Sequence, residues 1–144
     1  MHDPEALIRW FENLSPETLD QVPHFYAADA EFKDPFNEVH GVDAITHIFS
    51  HMFTQVDEPR FVIGSRFSGQ GDEGGVMLLW DFHFRSRGPL APQAMTVRGA
   101  THLRFDGQGR IILHRDYWDA AEELYAKLPL IGWLMRGLQR QARA

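Results

Sequence analysis

The hydrophobic pattern of this 144-residue chain changes its period near residue 60. Before that point, apolar residues recur at helical spacing, most clearly at Ile45, Ile48, Phe49, Met52 and Phe53. After it, apolar and polar residues alternate in four stretches, which predict strands near 60–68, 76–87, 94–105 and 110–118. Short connectors rich in glycine and proline favour hairpins between these strands. The sequence therefore predicts an α+β fold, with one helical layer packed on a curled antiparallel meander.

Start signals place further helices around the sheet. Asp3-Pro4 predicts a helix over about 4–14, and Ser15-Pro16 predicts a second, short helix that Pro23 disturbs. Asp119, with Glu122 three residues later, predicts a helix over about 120–127. The length suits one domain. We expect that domain to span residues 1–128 and an amphipathic helical extension to span 129–144.

The extension carries an apolar stripe and several bases but no acid. The stripe consists of Leu130, Trp133, Leu134 and Leu138. Such a helix can lie on an anionic membrane, but packing against the domain needs no more apolar residues than these, so we expect packing. No apolar run approaches the ~20 residues of a membrane span. We expect a soluble, cytoplasmic protein for which membrane binding is unlikely.

Several function classes lack the residues that their chemistry requires. The arginines are scattered through predicted strands instead of forming a basic stripe, which argues against nucleic-acid binding. Gly69, Gly71 and Gly74 match a dinucleotide motif, but a strand follows them where the motif needs a helix. His47 and His51 lie on the polar face of the third helix, so we expect no metal site. There is no cysteine, and we expect no cofactor.

Asp34 is one candidate for acid–base chemistry. If residues 31–37 form a strand, Asp34 points the same way as Phe32 and Phe36, and a carboxylate among aromatic rings is suited to act as a general base. Alternatively, Asp34 caps a turn before Pro35, as Asp-Pro sequences commonly do. The residues alone leave both interpretations open.

A second candidate lies on the last predicted strand. Strand alternation puts His114, Asp116 and Trp118 on one face together with Ile112, and puts Ile111 on the opposite face. A histidine, a carboxylate and an aromatic ring on one face are typical of a pocket wall with a proton carrier. The alternative is that His114 and Asp116 form a purely structural pair.

The chain resembles the nuclear transport factor 2-like (NTF2-like) superfamily, and within it the SnoaL-like and ketosteroid-isomerase-like branch. The resemblance rests on the order and spacing of residues 26–36 (YAADAEFKDPF), 40–45 (HGVDAI), 103–111 (LRFDGQGRI) and 117–118 (YW). It implies a cone in which a strongly bent antiparallel sheet wraps around N-terminal helices. It also implies a deep apolar pocket and a homodimer formed through the sheet.

The resemblance further implies roles for individual residues. In ketosteroid isomerases the base is the aspartate of the Asp-Pro motif, here Asp34, and the two oxyanion donors fall at Trp10 and Thr101. We therefore expect Asp34 as base, His114 as acid or shuttle, and Asp116 as its orienting partner. The pocket is expected to include Trp10, Phe32, Phe36, Thr101 and Trp118.

Two functions are expected from this reading. The first is an isomerase, cyclase or hydratase that performs acid–base chemistry on an apolar carbonyl-type substrate. The alternative is a non-catalytic module that binds a small apolar ligand or dimerises.

Overall fold

The computed structural model describes residues 4–71, 74–87, 92–124, 137–138 and 140–143. Helices precede and follow a long run of strands. The helices are α1 (Pro4–Glu12), a 3₁₀ helix (Pro16–Gln21), α2 (Val22–Phe25), α3 (Val42–Gln55) and α4 (Ala120–Glu123). The strands are β1 (Tyr26–Lys33), β2 (Glu38–His40), β3 (Val56–Ser68), β4 (Val76–Ser86), β5 (Ala94–Phe105) and β6 (Ile111–Tyr117).

The six strands form one curved, unclosed sheet in the order β2-β1-β6-β5-β4-β3. The predicted meander is confirmed, because β3 to β6 pair in succession and antiparallel. One pair departs from the antiparallel pattern, because β1 pairs with β6 in parallel. This pair joins the helical half of the chain to the end of the meander.

The helices cover the concave face of the sheet and share one core with it. α1 contributes Trp10 and Phe11, and α3 contributes Ile45 and Phe49, all of them buried. The stripe predicted on α3 faces inward, as its spacing requires. The predicted α+β fold, with helices packed on a bent sheet, is confirmed.

The structure settles one open alternative about strand faces and contradicts one prediction. β1 ends at Lys33, so the strand does not carry Phe32, Asp34 and Phe36 on one face. On β6, the register shifts opposite Arg104 and Phe105. A bulge of this kind places an extra residue in the strand, and Ile111 therefore joins His114 on the buried face instead of opposing it.

The C-terminal predictions are covered only in part. Asp119 caps α4 as predicted, by accepting a hydrogen bond from the backbone N–H of Glu122 at 3.1 Å. Residues 125–136 lie outside the described part, and with them the end of the helix expected over 120–127, the boundary at 128, and Leu130, Trp133 and Leu134. Leu138 is described and half exposed. Within the described ranges, no helix is long and apolar enough to cross a membrane.

Candidate active site

A cavity lies between the helices and the concave face of the sheet. The centres of water-sized molecules can occupy about 30 Å³ of it, and the wider hollow of about 350 Å³ includes open solvent. Apolar side chains supply most of its wall, and three polar residues from β5 and β6 complete it. The lining residues are Phe11, Phe49, Phe61, Ile63, Leu78, Trp80, Thr101, His114 and Asp116.

His114 and Asp116 meet inside this cavity. They are two apart on β6, so both side chains point to the concave face. The Nε2 atom of His114 lies 2.8 Å from Oδ1 of Asp116. Of the residues predicted for the site, these two and Thr101 are the ones that line the cavity.

Tyr26 holds the other nitrogen of the imidazole. Its hydroxyl lies 2.7 Å from Nδ1 of His114, and the two rings are nearly parallel. Burial raises the pKa of Tyr26 well above its usual 10.0, and the charge of Asp116 raises it further. The phenol therefore keeps its proton and donates it to Nδ1.

The hydrogen-bond partners assign the tautomer of His114. A neutral imidazole that accepts at Nδ1 carries its hydrogen on Nε2, from which it donates to Asp116. An imidazolium would donate from both nitrogens, and the buried Tyr26 hydroxyl would then have no acceptor among the described residues. The arrangement fits a neutral His114 whose N–H points at Asp116.

A second chain of hydrogen bonds reaches Asp116 from the sheet. The indole N–H of Trp80 donates to Oγ1 of Thr101 at 2.7 Å. Because the indole nitrogen is only a donor, the Thr101 hydroxyl uses its own hydrogen for Oδ1 of Asp116, at 2.5 Å. We call the set Tyr26, His114, Asp116, Thr101 and Trp80 the relay.

The relay leaves one oxygen of Asp116 unoccupied. Both donors reach Oδ1, and no described residue donates a hydrogen bond to Oδ2. About 19% of the Asp116 side chain is exposed, against 4% for His114. Asp116 is therefore the more accessible of these two polar residues that line the cavity.

Aromatic rings enclose His114 on its remaining sides. The Phe32 ring lies 4.6 Å from the imidazole, centroid to centroid, and those of Phe11 and Phe49 lie 5.9 and 6.3 Å away. Phe32 is thus buried behind the histidine, although it was predicted as a pocket residue. These contacts fix the orientation of the imidazole.

Asp34 lies in the turn between β1 and β2 and does not line the cavity. Its Oδ1 accepts hydrogen bonds from the backbone N–H groups of Phe36 and Asn37, at 2.8 and 2.7 Å. The Asn37 amide contacts both carboxylate oxygens. This is the turn cap that the Asp-Pro sequence left open as an alternative.

The structure does not bring the other predicted residues to the cavity lining. The Trp10 N–H donates to the backbone oxygen of Thr18 at 3.1 Å, so the indole anchors α1 to the 3₁₀ helix. Phe36 is half exposed and packs edge-on against Trp118, with ring centroids 5.5 Å apart. This aromatic pair lies beside the Asp34 turn.

Sequence reasoning missed Tyr26 and Trp80. Trp80 had a signal, because Leu78, Trp80 and Phe84 alternate with polar residues on β4. Tyr26 had none, since its contact depends on the parallel pairing of β1 with β6. No group of three or more potential metal ligands occurs in the described ranges, and the site's donor set is that of proton transfer.

Comparison with known proteins places this chain in a family. A family model for the SnoaL-like domain matches residues 7–114. No curated protein matches the chain. A protein of ketosteroid isomerase-like fold from Catenulispora acidiphila DSM 44928, solved with trimethylamine, is 22% identical with a TM-score of 0.69, covering 92% of this chain and 98% of its own.

Two proteins from Mycobacterium tuberculosis share the fold at lower similarity. An LEH-like epoxide hydrolase is 20% identical, with a TM-score of 0.58 over 97% of this chain and 91% of its own. RV0760c, solved with estradiol-17beta-hemisuccinate, is 17% identical, with a TM-score of 0.59 over 80% of this chain and 89% of its own. At these identities the structures show the fold alone, and the family rests on the match over 7–114. The chain belongs to the SnoaL-like domain family.

Proposed function

We propose that this protein is a small-molecule enzyme in which Asp116 takes a proton from a substrate held in the apolar cavity. The isomerase, cyclase and hydratase reactions expected from the sequence all include such a proton transfer. This shared step is the removal of a proton from the substrate, and Asp116 performs it.

The observation that carries the proposal is the state of Asp116. Its Oδ1 is held by Thr101 and His114, its Oδ2 has no protein partner among the described residues, and Asp116 lines an apolar cavity. A carboxylate held in one position beside an apolar cavity can accept a proton from a molecule bound there. A purely structural pair has no need of a free oxygen beside a cavity.

This assigns roles that differ from those expected from the sequence. His114 is the positioning residue and Asp116 the proton acceptor, because both line the cavity and Asp116 is the more exposed of the two. Asp34 holds its turn. Relatives with the same fold include an epoxide hydrolase and a steroid-bound protein, which supports small, largely apolar substrates.

The test uses 5-nitrobenzisoxazole, an apolar compound whose ring opens when a base removes its carbon-bound proton. The N–O bond breaks as that proton leaves, and the product is a coloured phenolate. We expect the protein to accelerate this reaction and Asp116→Asn to lower kcat/KM by about 10²–10⁴, the usual contribution of a general base.

Two matched substitutions complete the experiment. Asp106→Asn makes the same chemical change at an exposed turn away from the cavity and should leave the rate unchanged. Asp34→Asn tests the base implied by the family resemblance, and the amide oxygen can still cap the turn. A loss with Asp34→Asn but not with Asp116→Asn would return the role of base to Asp34. No acceleration by the wild-type protein would favour the binding module.

A further inference from the structure

The hydrogen atoms of the polar groups in the cavity are all committed to protein acceptors. Of the described lining residues, three have side-chain donors: Trp80, Thr101 and His114. Trp80 donates to Thr101, and both Thr101 and His114 donate to Oδ1 of Asp116. Tyr26, behind the wall, donates to His114.

The donors and acceptors of these hydrogen bonds follow one order along the relay. Each hydrogen bond of the relay points toward Asp116, so the described wall offers a ligand an acceptor at Oδ2 and no free side-chain donor. The tautomer of His114 matters here, because a hydrogen on Nδ1 would leave Nε2 as an acceptor facing a carboxylate. Tyr26 excludes that tautomer by donating to Nδ1.

Whether a ligand oxygen finds a hydrogen-bond partner in this cavity therefore depends on whether it carries a hydrogen. A ketone or ester oxygen needs a donor, and in this cavity it would lose its water without gaining a partner. A polar group that loses its water and gains no partner typically weakens binding 5- to 150-fold, which corresponds to about 1–3 kcal/mol. A hydroxyl group, in contrast, can donate to Oδ2.

We infer that the substrate is a hydroxyl-bearing apolar molecule, an alcohol or phenol, which donates its O–H hydrogen to Oδ2 of Asp116. The inference rests on the proposed function for the site and the base. The carbonyl-type substrate expected from the sequence is replaced by one whose acidic hydrogen is on oxygen.

Three probes with one carbon skeleton test this: 2-indanol, 2-indanone and indane. Binding to the wild-type protein at neutral pH is measured by NMR titration, so no turnover is needed. We expect 2-indanol to bind at least about fivefold more tightly than 2-indanone. Indane, which has no oxygen to satisfy, should bind more tightly than the ketone.

Asp116→Asn should reverse the preference between alcohol and ketone. Thr101 and His114 need an acceptor at the position of Oδ1, so the amide oxygen stays there and the NH₂ group takes the place of Oδ2. The cavity then offers a donor, which suits 2-indanone. Asp106→Asn should keep the wild-type preference, because this exposed turn does not line the cavity.

The outcomes are separable from those of the base assay. Equal or tighter binding of 2-indanone by the wild-type protein overturns the inference, as does a wild-type protein that binds none of the three probes at millimolar concentration. If Asp116→Asn does not fold, the order of the three probes on the wild-type protein decides. A preference for the alcohol without base catalysis of 5-nitrobenzisoxazole refutes the proposed function and leaves the chemistry of the ligand standing.

Discussion

The hydroxyl of Tyr26 makes the free energy of unfolding of this protein decrease at alkaline pH. Burial, and then the charge of Asp116, raise the pKa of Tyr26 well above 10.0 in the folded state. The unfolded chain gives up this proton near pH 10, while the folded chain keeps it. The unfolded state then binds fewer protons, so the free energy of unfolding is fully retained below pH 10 and falls as the pH rises further.

Urea unfolding between pH 8 and pH 11 measures this effect. One tyrosine contributes a slope of up to about 1.4 kcal/mol per pH unit above pH 10. Tyr26→Phe should remove that contribution, whatever it does to stability at pH 8, where the bond to His114 is also lost. Equal slopes for the wild-type protein and Tyr26→Phe would contradict the prediction.

One cross-strand pair between β4 and β5 places a tryptophan directly opposite a glycine. Trp80 pairs with Gly99 across the two strands, and the indole lies over the glycine on its way to Thr101. A Cβ at position 99 would lie 2.5 Å from Cη2 of Trp80, and contacts this short do not persist in proteins. The absence of a side chain at Gly99 therefore determines the position of the Trp80 indole, which lines the cavity.

Gly99→Ala should displace the indole, lengthen or break its bond to Thr101, and cost about 1–3 kcal/mol of stability, as overpacking does. Denaturant unfolding measures the cost, and indole N–H exchange by NMR reports the bond. Gly64→Ala is the matched control, because a Cβ on Gly64 of β3 meets no atom within 4 Å. A Gly99→Ala protein as stable as Gly64→Ala, with a protected Trp80 N–H, would show that the contact is easily relieved.

Elements with a strong local signal were predictable from the sequence. The period of α3 and the four strands of the meander agree with the structure to within a few residues, because one buried face is enough to set such patterns. The cap at Asp119 was likewise predictable, since a side chain and a backbone N–H three residues away settle it.

Elements that depend on distant partners were not predictable. β1 pairs in parallel with a strand about eighty residues later, and nothing near Tyr26 reveals that neighbour. At Asp34, the side chain accepts hydrogen bonds from the backbone of the following turn, and these form instead of further strand pairing. Short acidic side chains often allow this. The site followed the same rule: His114 with Asp116 was visible from strand alternation, and Tyr26 was not.

At the scale of the molecule, the convex face of the sheet is the surface for which we predict a homodimer. On β5, Val97, Thr101 and Leu103 are buried and Arg98 is exposed, so Arg98 lies on the convex face. On the convex face, 43% of Leu79 and 46% of Tyr117 remain exposed, and both pair with Ala100 between them. An apolar row across a sheet suits an isologous contact between two copies.

Sedimentation at micromolar concentration should show a species of twice the monomer mass, because a sheet interface of standard size binds tightly. Leu79→Arg puts a charge into the row and should give the monomer. Ser50→Arg, at an exposed position of α3, should leave the dimer intact. A wild-type protein that sediments only as a monomer would contradict the prediction.

The parallel pairing of β1 with β6 also has a consequence for how the molecule is made. The Tyr26–His114 bond joins residues 88 positions apart, so an entropically expensive loop must close before it can form. Contacts of such long range slow folding relative to helical proteins of similar size. On the ribosome, β1 emerges well before its partner and must wait for it. A nascent chain that stops short of residue 111 holds helices α1 to α3 and the β3–β5 hairpins but has neither His114 nor Asp116, and the cavity gains these two polar residues only after β6 has been made.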